Sequence, residues 1–594
     1  MGDQPLRTAH AGALDASWVG EEVRLAGWIA RRRDHGGVVF LDLRDHTGLA
    51  QVVINPDQDP HLGEVVHQLR LEYCVAVAGL VRRRPEGTVN PDMPTGEVEV
   101  ATEELRILSP SDPLPFPIED RVEVDELSRL RFRYLDLRRP DMAAKLRARS
   151  RAVAAIRRVL EERGFLEVET PHLIRSTPEG ARDLLVPSRL RPGHFYALPQ
   201  SPQLFKQLLM VAGVDRYYQI ARCYRDEDFR ADRALEFTQL DLEGAFWDRE
   251  GVLETMEAVM VGVVRELKGF TPRTPFPRIS HADALARYGT DKPDPRLGME
   301  IQDLSSRFRH TEFRAFADVL SQGGVVRALN AGARRASRAE LDGLVSFARG
   351  AGAKGLVWMV VEDDGTLRSP VAGFLSEAEQ QATKEGLEAG PGDLMLLAAD
   401  HPRPAASVLH KLRVQLGEPD DRDELAFMWV IDYPVFEESP EGELVPSHHP
   451  FTAPVDVAEM RNHPERAVAR AYDLVLNGWE LGSGSERIHD PDVQREVFDI
   501  LGISPEEAES RFGWFLRALR FGTPPHAGFA MGIDRMVAAL LDEPNIREVT
   551  PFPKTQTGAD PLTGSPTPVD ATQLRELGLD LRPEVREELE SDPQ

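Results

Sequence analysis

Residues 218–246 read YQIARCYRDEDFRADRALEFTQLDLEGAF, and their pattern decides what kind of sheet lies at the centre of this chain. An apolar run breaks into a charged loop and resumes as a second run, in which Gln239, Asp241 and Glu243 alternate with Leu240 and Leu242. Side chains on a strand alternate between faces, so the three polar groups share one face and the leucines the other. Such a hairpin sets Arg225 and Glu227 at the end of a rigid sheet. An ordinary surface hairpin accounts for the loop charges. It does not account for carboxylates in register on a strand that also carries core residues.

Working outward, GFAMGIDR (residues 528–535) reads as a strand that breaks at Gly532 into a helix whose first turn bears Asp534 and Arg535. Glycine permits close backbone approach and a helix start offers N–H groups, an arrangement that suits phosphate. Between residues 142 and 163, Leu146, Val153, Ile156 and Leu160 recur at helical intervals, with Gly164 as a stop. A strand over 165–170 then ends at Pro171. Alternating strands and helices continue to about residue 287, which predicts an α+β body. From about 291 to 412 helical patterns and glycine-rich turns such as AGAKG (351–355) read as an inserted domain. Strand-rich text resumes over 427–435, and a charged, helix-like end covers 574–589.

The first 110 residues read differently, with short strands over 23–29, 38–44 and 49–54 and turns at Gly36-Gly37 and Thr47-Gly48. That spacing predicts a small β-barrel. Val39, Leu41 and Leu43 share one face, leaving the aromatic Phe40 beside Asp42 and Arg44. A satellite core contact and a platform for stacking a single-stranded base fit Phe40 equally well. Prolines in SPSDPLPFPI (109–118) remove backbone donors and stiffen a linker. The domains expected are 1–110, a hinge at 111–140, 141–290, an insertion at 291–412, and 413–594.

At 594 residues the chain is too long for one core. A net charge of -27 argues globally against a phosphate-backbone partner, yet Arg31 to Arg33, Arg82 to Arg84 and the arginines of 138–158 gather locally. Taken alone, each cluster is a solvated face. Cys74 and Cys223 provide neither a disulfide framework nor zinc-ligand spacing. No segment is apolar enough to span a bilayer and the first ten residues lack a signal-like core, so a cytoplasmic protein without a membrane partner is expected.

In order and spacing, residues 165–171, Arg225-Asp226-Glu227 with its strand, and 532–535 resemble the three signature motifs of class II aminoacyl-tRNA synthetases. RYLDLRR (133–139), STPEGARD (176–183), QSPQLFKQLLM (200–210) and HHPFT (448–452) resemble the bacterial aspartyl-tRNA synthetases in particular, over nearly the whole chain. The resemblance implies an α+β multidomain protein. Its parts would be an anticodon-binding OB-fold barrel, a hinge, an antiparallel class II sheet flanked by helices, and an inserted α+β domain of the GAD-like kind. It implies a homodimer that joins L-aspartate to tRNA through aspartyl-adenylate, using ATP and Mg2+.

Residue roles follow from the same resemblance. Arg487 and Lys206 would hold the aspartate side chain, and Glu179, Ser201, Gln203 and Asp241 its ammonium. His448 and His449 would close the pocket, with Leu204 and Phe205 beside Lys206. Arg225 would hold the α-phosphate together with the substrate α-carboxylate, Arg535 the γ-phosphate, Glu227 the adenine amino group, and Phe237 the ring. Asp226, Gly532, Ile533 and Asp534 complete the nucleotide set, and Asp473 and Glu480, in YDLVLNGWE, would hold magnesium. On the barrel, Arg33, His35, Phe40, Gln51, Gly87 and Glu99 would face tRNA. His35 with Gly87 resembles members that charge both aspartate and asparagine tRNA, while a strictly aspartate-specific enzyme stays open. Asparaginyl or lysyl relatives are disfavoured by the paired cations Lys206 and Arg487, because neither an amide nor an ammonium needs two of them. An inert RNA-binding paralogue would be expected to have lost Arg225, Glu480 or Arg535, and all three are present.

Overall fold

The computed structural model describes residues 5–57, 60–177, 181–439 and 441–591. It divides into two compact units, residues 1–144 with 561–563 and residues 145–560 with 564–594.

The first unit is a closed barrel of β1 (Glu22–His35), β2 (Val38–Arg44), β3 (Leu49–Ile54), β4 (Cys74–Arg83) and β5 (Val98–Ser109), in the order β1-β2-β3-β5-β4. Strands β2 and β3 fall where the alternation put them. β1 runs six residues past the expected end, because Arg31, Arg32 and Arg33 go on pairing with Asp42, Leu41 and Phe40 beyond a register shift at Ile29/Arg31. Leu25, Ile29, Leu41, Leu43, Val52 and Val75 are fully buried and fill the barrel.

In the second unit an eight-stranded sheet has the order β11-β17-β20-β21-β22-β10-β9-β6. In chain order its strands are β6 (Leu166–Glu167), β9 (Arg216–Tyr224), β10 (Glu236–Ala245), β11 (Arg278–Ser280), β17 (Phe427–Ile431), β20 (Ala471–Leu476), β21 (Trp479–Glu486) and β22 (His526–Gly532). The short ribbons β7 (Leu185–Pro187) with β8 (Phe195–Ala197) and β18 (Phe436–Glu438) with β19 (Leu444–Pro446) lie outside it. Strands β17 to β9 run antiparallel to their neighbours, while β6 and β11 join the edges in parallel. The strand expected over 165–170 shrinks to two residues because Thr170 turns its hydroxyl and N–H to the Gln219 side chain. Helices Pro140–Glu162, Arg249–Lys268 and Ile533–Leu541 bury Ile156, Leu160, Met256, Met260, Met536 and Val537 against the sheet.

Residues 291–412 carry both helices and a sheet, an α+β arrangement. They hold β12 (Gln302–Asp303), β13 (Val325–Ala333), β14 (Val357–Val361), β15 (Leu367–Arg368) and β16 (Asp393–Asp400), a sheet of order β12-β13-β16-β14-β15. Helices including Arg338–Gly350 and Pro402–Leu416 pack on it. Among the described residues no helix is long and apolar enough to cross a membrane.

Candidate active site

A cavity of about 460 Å³ opens on the polar face of β10. Register supplies its floor: Asp241 lies opposite Ala530 and Glu243 opposite Gly528 on β22, while β21 sets Ser483 and Ser485 across from those same small residues. The sheet makes room for carboxylates by placing almost nothing beside them. A Cβ on Gly528 would fall 1.8 Å from Glu243 Oε2.

Two cations meet these carboxylates. Lys206 Nζ, from helix Gln203–Val211, is 2.9 Å from Asp241 Oδ2 and 3.2 Å from Glu243 Oε2. Arg487 donates from Nε to Glu243 Oε1 (3.0 Å), from Nη2 to Oε2 (3.3 Å), and from Nη1 to Ser485 Oγ (2.7 Å) and His449 Nε2 (2.6 Å). These contacts commit four of the five N–H groups a guanidinium owns, so the side-on fork expected to meet a ligand faces Glu243 instead. All four charged side chains are at most 3% exposed, and together they are neutral.

Burial pushes Asp241 up to about 6 in spite of Lys206. At Glu243 burial acts in the same direction, but Arg487 and Lys206 outweigh it and hold the carboxyl below its usual range. Asp241 Oδ1 is buried without a hydrogen-bond partner among the described residues. A buried acceptor left alone is costly, and a cationic donor such as a substrate ammonium would satisfy it. Glu243 was legible as part of the alternating face but received no role, since its partner Arg487 lies 244 residues away.

Ser201 and Gln203 also line the cavity. Leu204 and Phe205 do not. Each helical step turns the chain about 100°, which sends Leu204 into a cluster with Phe451, Phe512 and Phe515, and Phe205 against Trp514 at 5.9 Å. Both are packing residues. Glu179 lies outside the described residues.

At the other end of the cavity Arg225 stands over the Phe237 ring, 5.1 Å from its centroid. Glu227 Oε2 is 2.9 Å from Arg233 Nη1. Arg535 donates from Nε to the Asp232 carbonyl at 3.0 Å and lies 3.2 Å from the Asp232 carboxylate and 3.6 Å from Glu480 Oε1. Two motif residues do not line the cavity, and a third, Asp534, lines it while also bonding to the framework. Ile533 is fully buried in the core, and the Asp226 amide donates to Arg182 O at 3.1 Å. Asp534 accepts from Thr238 N at 3.0 Å and pairs with Arg149 at 2.5 Å, tying the helix start to β10. Gly532 lines the cavity with φ -67°, and a Cβ there would make only an ordinary 3.7 Å contact with Arg535.

Asp473 and Glu480 stand on separate strands, β20 and β21, joined by the left-handed pair Asn477 (φ 52°) and Gly478 (φ 83°). The Asn-Gly within YDLVLNGWE is a strong hairpin signal and accounts for the turn. Both Asp473 oxygens are engaged: Oδ2 accepts from the Tyr433 hydroxyl at 2.8 Å and Oδ1 is 3.1 Å from His448 Nε2. Its charge outweighs burial at His448 and raises that imidazole above its usual value. Oxygen ligands suit magnesium. Of the two carboxylates only Glu480 lines the cavity, itself close to Lys292 (2.9 Å) and Arg535 (3.6 Å), whereas Asp473 stands behind it on His448.

On the barrel, Arg33 Nη2 donates to Asp42 Oδ1 (2.7 Å) and Gln51 Oε1 (3.1 Å), Gln51 Nε2 to Glu99 Oε2 (2.9 Å), and Arg82 Nε to Glu99 Oε1 (2.8 Å). Phe40 is half-buried and pairs with Arg33 across β1 and β2. Asp42 and Arg82 belong to this hydrogen-bonded series, although the sequence assigns neither a place among the tRNA-facing residues. His35 ends β1 at the hairpin tip. Gly87 has φ 80° with open space around it, which gives its glycine a backbone reason.

Residues 125–556 match the family model "tRNA synthetases class II (D, K and N)", and residues 23–108 match "OB-fold nucleic acid binding domain". The chain is 50% identical to an "Aspartate--tRNA(Asp/Asn) ligase" of Thermobifida fusca, over 98% of this chain and 99% of the relative. It is 52% identical to the protein of the same name from Moorella thermoacetica, over 96% of each. In fold it is similar to asparaginyl-tRNA synthetase from Pyrococcus horikoshii complexed with asparaginyl-adenylate (TM-score 0.57, 21% identity, 92% of this chain and 98% of that one). It is also similar to aspartyl tRNA synthetase from Entamoeba histolytica (TM-score 0.55, 19% identity, 91% and 89%).

Proposed function

We propose how this site works from the premise that the chain belongs to the class II tRNA synthetases and, within them, to the aspartate–tRNA ligases. It joins L-aspartate to tRNA with ATP. The observation that carries the substrate is the sealed quartet Lys206, Asp241, Glu243 and Arg487, with the unpartnered Asp241 Oδ1 beside it. Asp241 takes the substrate ammonium. Lys206 and the remaining N–H of Arg487 take the side-chain carboxylate, and Glu243 holds both cations in place.

In the first step an α-carboxylate oxygen attacks the α-phosphorus and the bond to the bridging oxygen breaks, giving aspartyl-adenylate and pyrophosphate. Arg225 aligns the two reacting groups, Phe237 stacks on adenine with Glu227 on its amino group, and Arg535 neutralises the γ-phosphate. These are acts of placement and charge, which suffice in phosphoryl transfer. Mg2+, held by Glu480, would supply further neutralisation of the phosphates. In the second step a hydroxyl of the terminal tRNA ribose attacks the anhydride carbonyl and AMP leaves.

The barrel face presents Arg33, Phe40, Gln51 and Glu99 to the anticodon. The enzyme works in the cytoplasm as a homodimer, a reading supported by Leu146 and Leu166, 39% and 57% exposed on helix Pro140–Glu162 and β6. It charges asparagine tRNA as well as aspartate tRNA, in keeping with the names of its relatives. Strict aspartate specificity is the second reading, favoured by one observation: the left-handed φ of Gly87 explains that glycine without any role in discrimination. ATP–pyrophosphate exchange with each amino acid in turn tests the substrate; exchange with asparagine or lysine but not aspartate overturns it.

A further inference from the structure

Lys292 has no role in the scheme above, yet its Nζ stands 2.9 Å from Glu480 Oε2, while Arg535 Nη1 lies 3.6 Å from Glu480 Oε1. Glu480 thus sits between two cations. One belongs to β22's helix and was expected to meet the γ-phosphate. The other comes from the segment that leads into the inserted domain.

That segment is held from both sides. Arg413, fully buried in helix Pro402–Leu416 of the inserted domain, donates to the carbonyls of Tyr288 (3.4 Å), Asp294 (3.3 Å), Gly298 (2.6 Å) and Met299 (3.0 Å). Gly289, left-handed at φ 71°, lets the chain lie against the same helix, where a Cβ would meet Ala406 O at 2.3 Å. On the other side is Gly478, in the turn between β20 and β21. A Cβ there would lie 3.6 Å from Asp294 Cβ and 3.9 Å from Lys292 O. The inserted domain therefore grips a loop and presses it against the hairpin that carries Glu480. A salt bridge at a partly exposed site contributes little stability for so much ordering. What the arrangement accomplishes is to fix a cation beside Glu480, which lines the cavity next to Arg535.

We propose that Lys292 binds polyphosphate: its ammonium moves from Glu480 to the outer phosphate oxygens of ATP and to departing pyrophosphate, so the inserted domain takes part in activation by holding the loop that bears it. The proposal rests on the adenylate-forming reading above. Lys292→Met and Lys292→Arg test it, with Lys292→Gln as the alternative should Lys292→Met fail to fold. Calorimetry compares binding of ATP with binding of an aspartyl-sulfamoyl-adenosine, which lacks β- and γ-phosphates, and pyrophosphate exchange gives the KM values. For Lys292→Met we expect ATP affinity to fall, and the KM for ATP and pyrophosphate to rise, by about tenfold or more. Analogue affinity and the KM for aspartate should hold within about twofold, and Lys292→Arg should recover most of the loss. Unchanged ATP binding, or equal losses for ATP and analogue, overturns the proposal. Failure of the unsubstituted enzyme to exchange pyrophosphate with aspartate instead overturns the assigned reaction, while the ATP-binding comparison still decides the role of Lys292.

Discussion

The barrel face and the cavity floor are built from the same parts, cations and carboxylates in hydrogen-bonded series, but the barrel's arginines stay half in water while the floor's cations are buried. Arg33 and Arg82 are 47% and 50% exposed over carboxylates, Asp42 and Glu99, that are 9% and 3% exposed, whereas Lys206 and Arg487 are 1% and 3% exposed and their carboxylate partners no more than 1%. Exposed pairs are worth about 0–1 kcal/mol, and losing one partner of a buried pair costs about 3–5 kcal/mol. The difference teaches where each kind of recognition belongs. Sealed charges choose a ligand by its chemistry, since nothing else can answer them. Open charges position a ligand, and stacking and shape supply the rest.

The widest gap should come from Arg487→Leu, which leaves Glu243 half-answered. Pyrophosphate exchange with aspartate should lose about 2–5 kcal/mol in kcat/KM, against nearly nothing for Arg82→Leu. Similar losses in the two variants would erase the distinction. Protonation offers a second lever. Asp241 binds an ammonium as carboxylate, so the KM for aspartate should climb as pH falls through about 6, and Asp241→Asn should remove that inflection while weakening binding at every pH. For stability the sign is worked from the same shift. A carboxyl raised from 3.8 to about 6 on folding binds more proton in the folded state, so its contribution to stability is present at low pH and is lost as pH rises across that window. A flat KM profile between pH 5 and 8 would falsify the role given to Asp241.

On the open face, Phe40→Ala should cost tRNA charging about 1–3 kcal/mol, one lost stack, and leave exchange without RNA untouched. Loss in both assays would make Phe40 part of the barrel's core. The smallest effect is expected from His35→Leu with Gly87→Lys, read as the ratio of kcat/KM for asparagine and aspartate tRNA. A ratio within about tenfold for the unsubstituted enzyme, shifted against asparagine tRNA in the variant, fits the relaxed reading. No charging of asparagine tRNA at the outset would refute it. Lysine at φ 80° carries a backbone penalty of about 1 kcal/mol or more, so His35→Leu alone separates recognition from strain.

Much of this was legible in sequence wherever one periodicity dominates. β2, β3 and the polar face of β10 were legible from alternating side-chain chemistry and flanking turns, although β3 and β10 are buried on both faces at nearly every residue. In the inserted α+β domain the helical patterns are legible and the individual strands are not, because β12 and β15 are two residues long and β14 and β16 are apolar almost throughout, which leaves no alternation to read. Motif membership also hides direction: Ile533 and Asp534 adjoin Arg535, and Leu204 and Phe205 adjoin Lys206, but a helix turns neighbours to different faces. Lys292 and Glu243 escaped because their partners stand 188 and 244 residues away, and distance in sequence carries no sign of contact in space.

The quartet at the cavity floor can finally be considered as a locus of inheritance. Two positive and two negative side chains balance at 3% exposure or less, so any one replacement that removes a charge strands an odd one. The resulting penalty, about 3–5 kcal/mol, is a large share of the roughly 5–15 kcal/mol by which a folded protein survives. A lineage cannot stroll from aspartate to another substrate one codon at a time through such a site. Its substitutions at Lys206, Asp241, Glu243 and Arg487 must arrive in charge-balanced pairs, and a directed-evolution library that varies them singly is searching where no path runs.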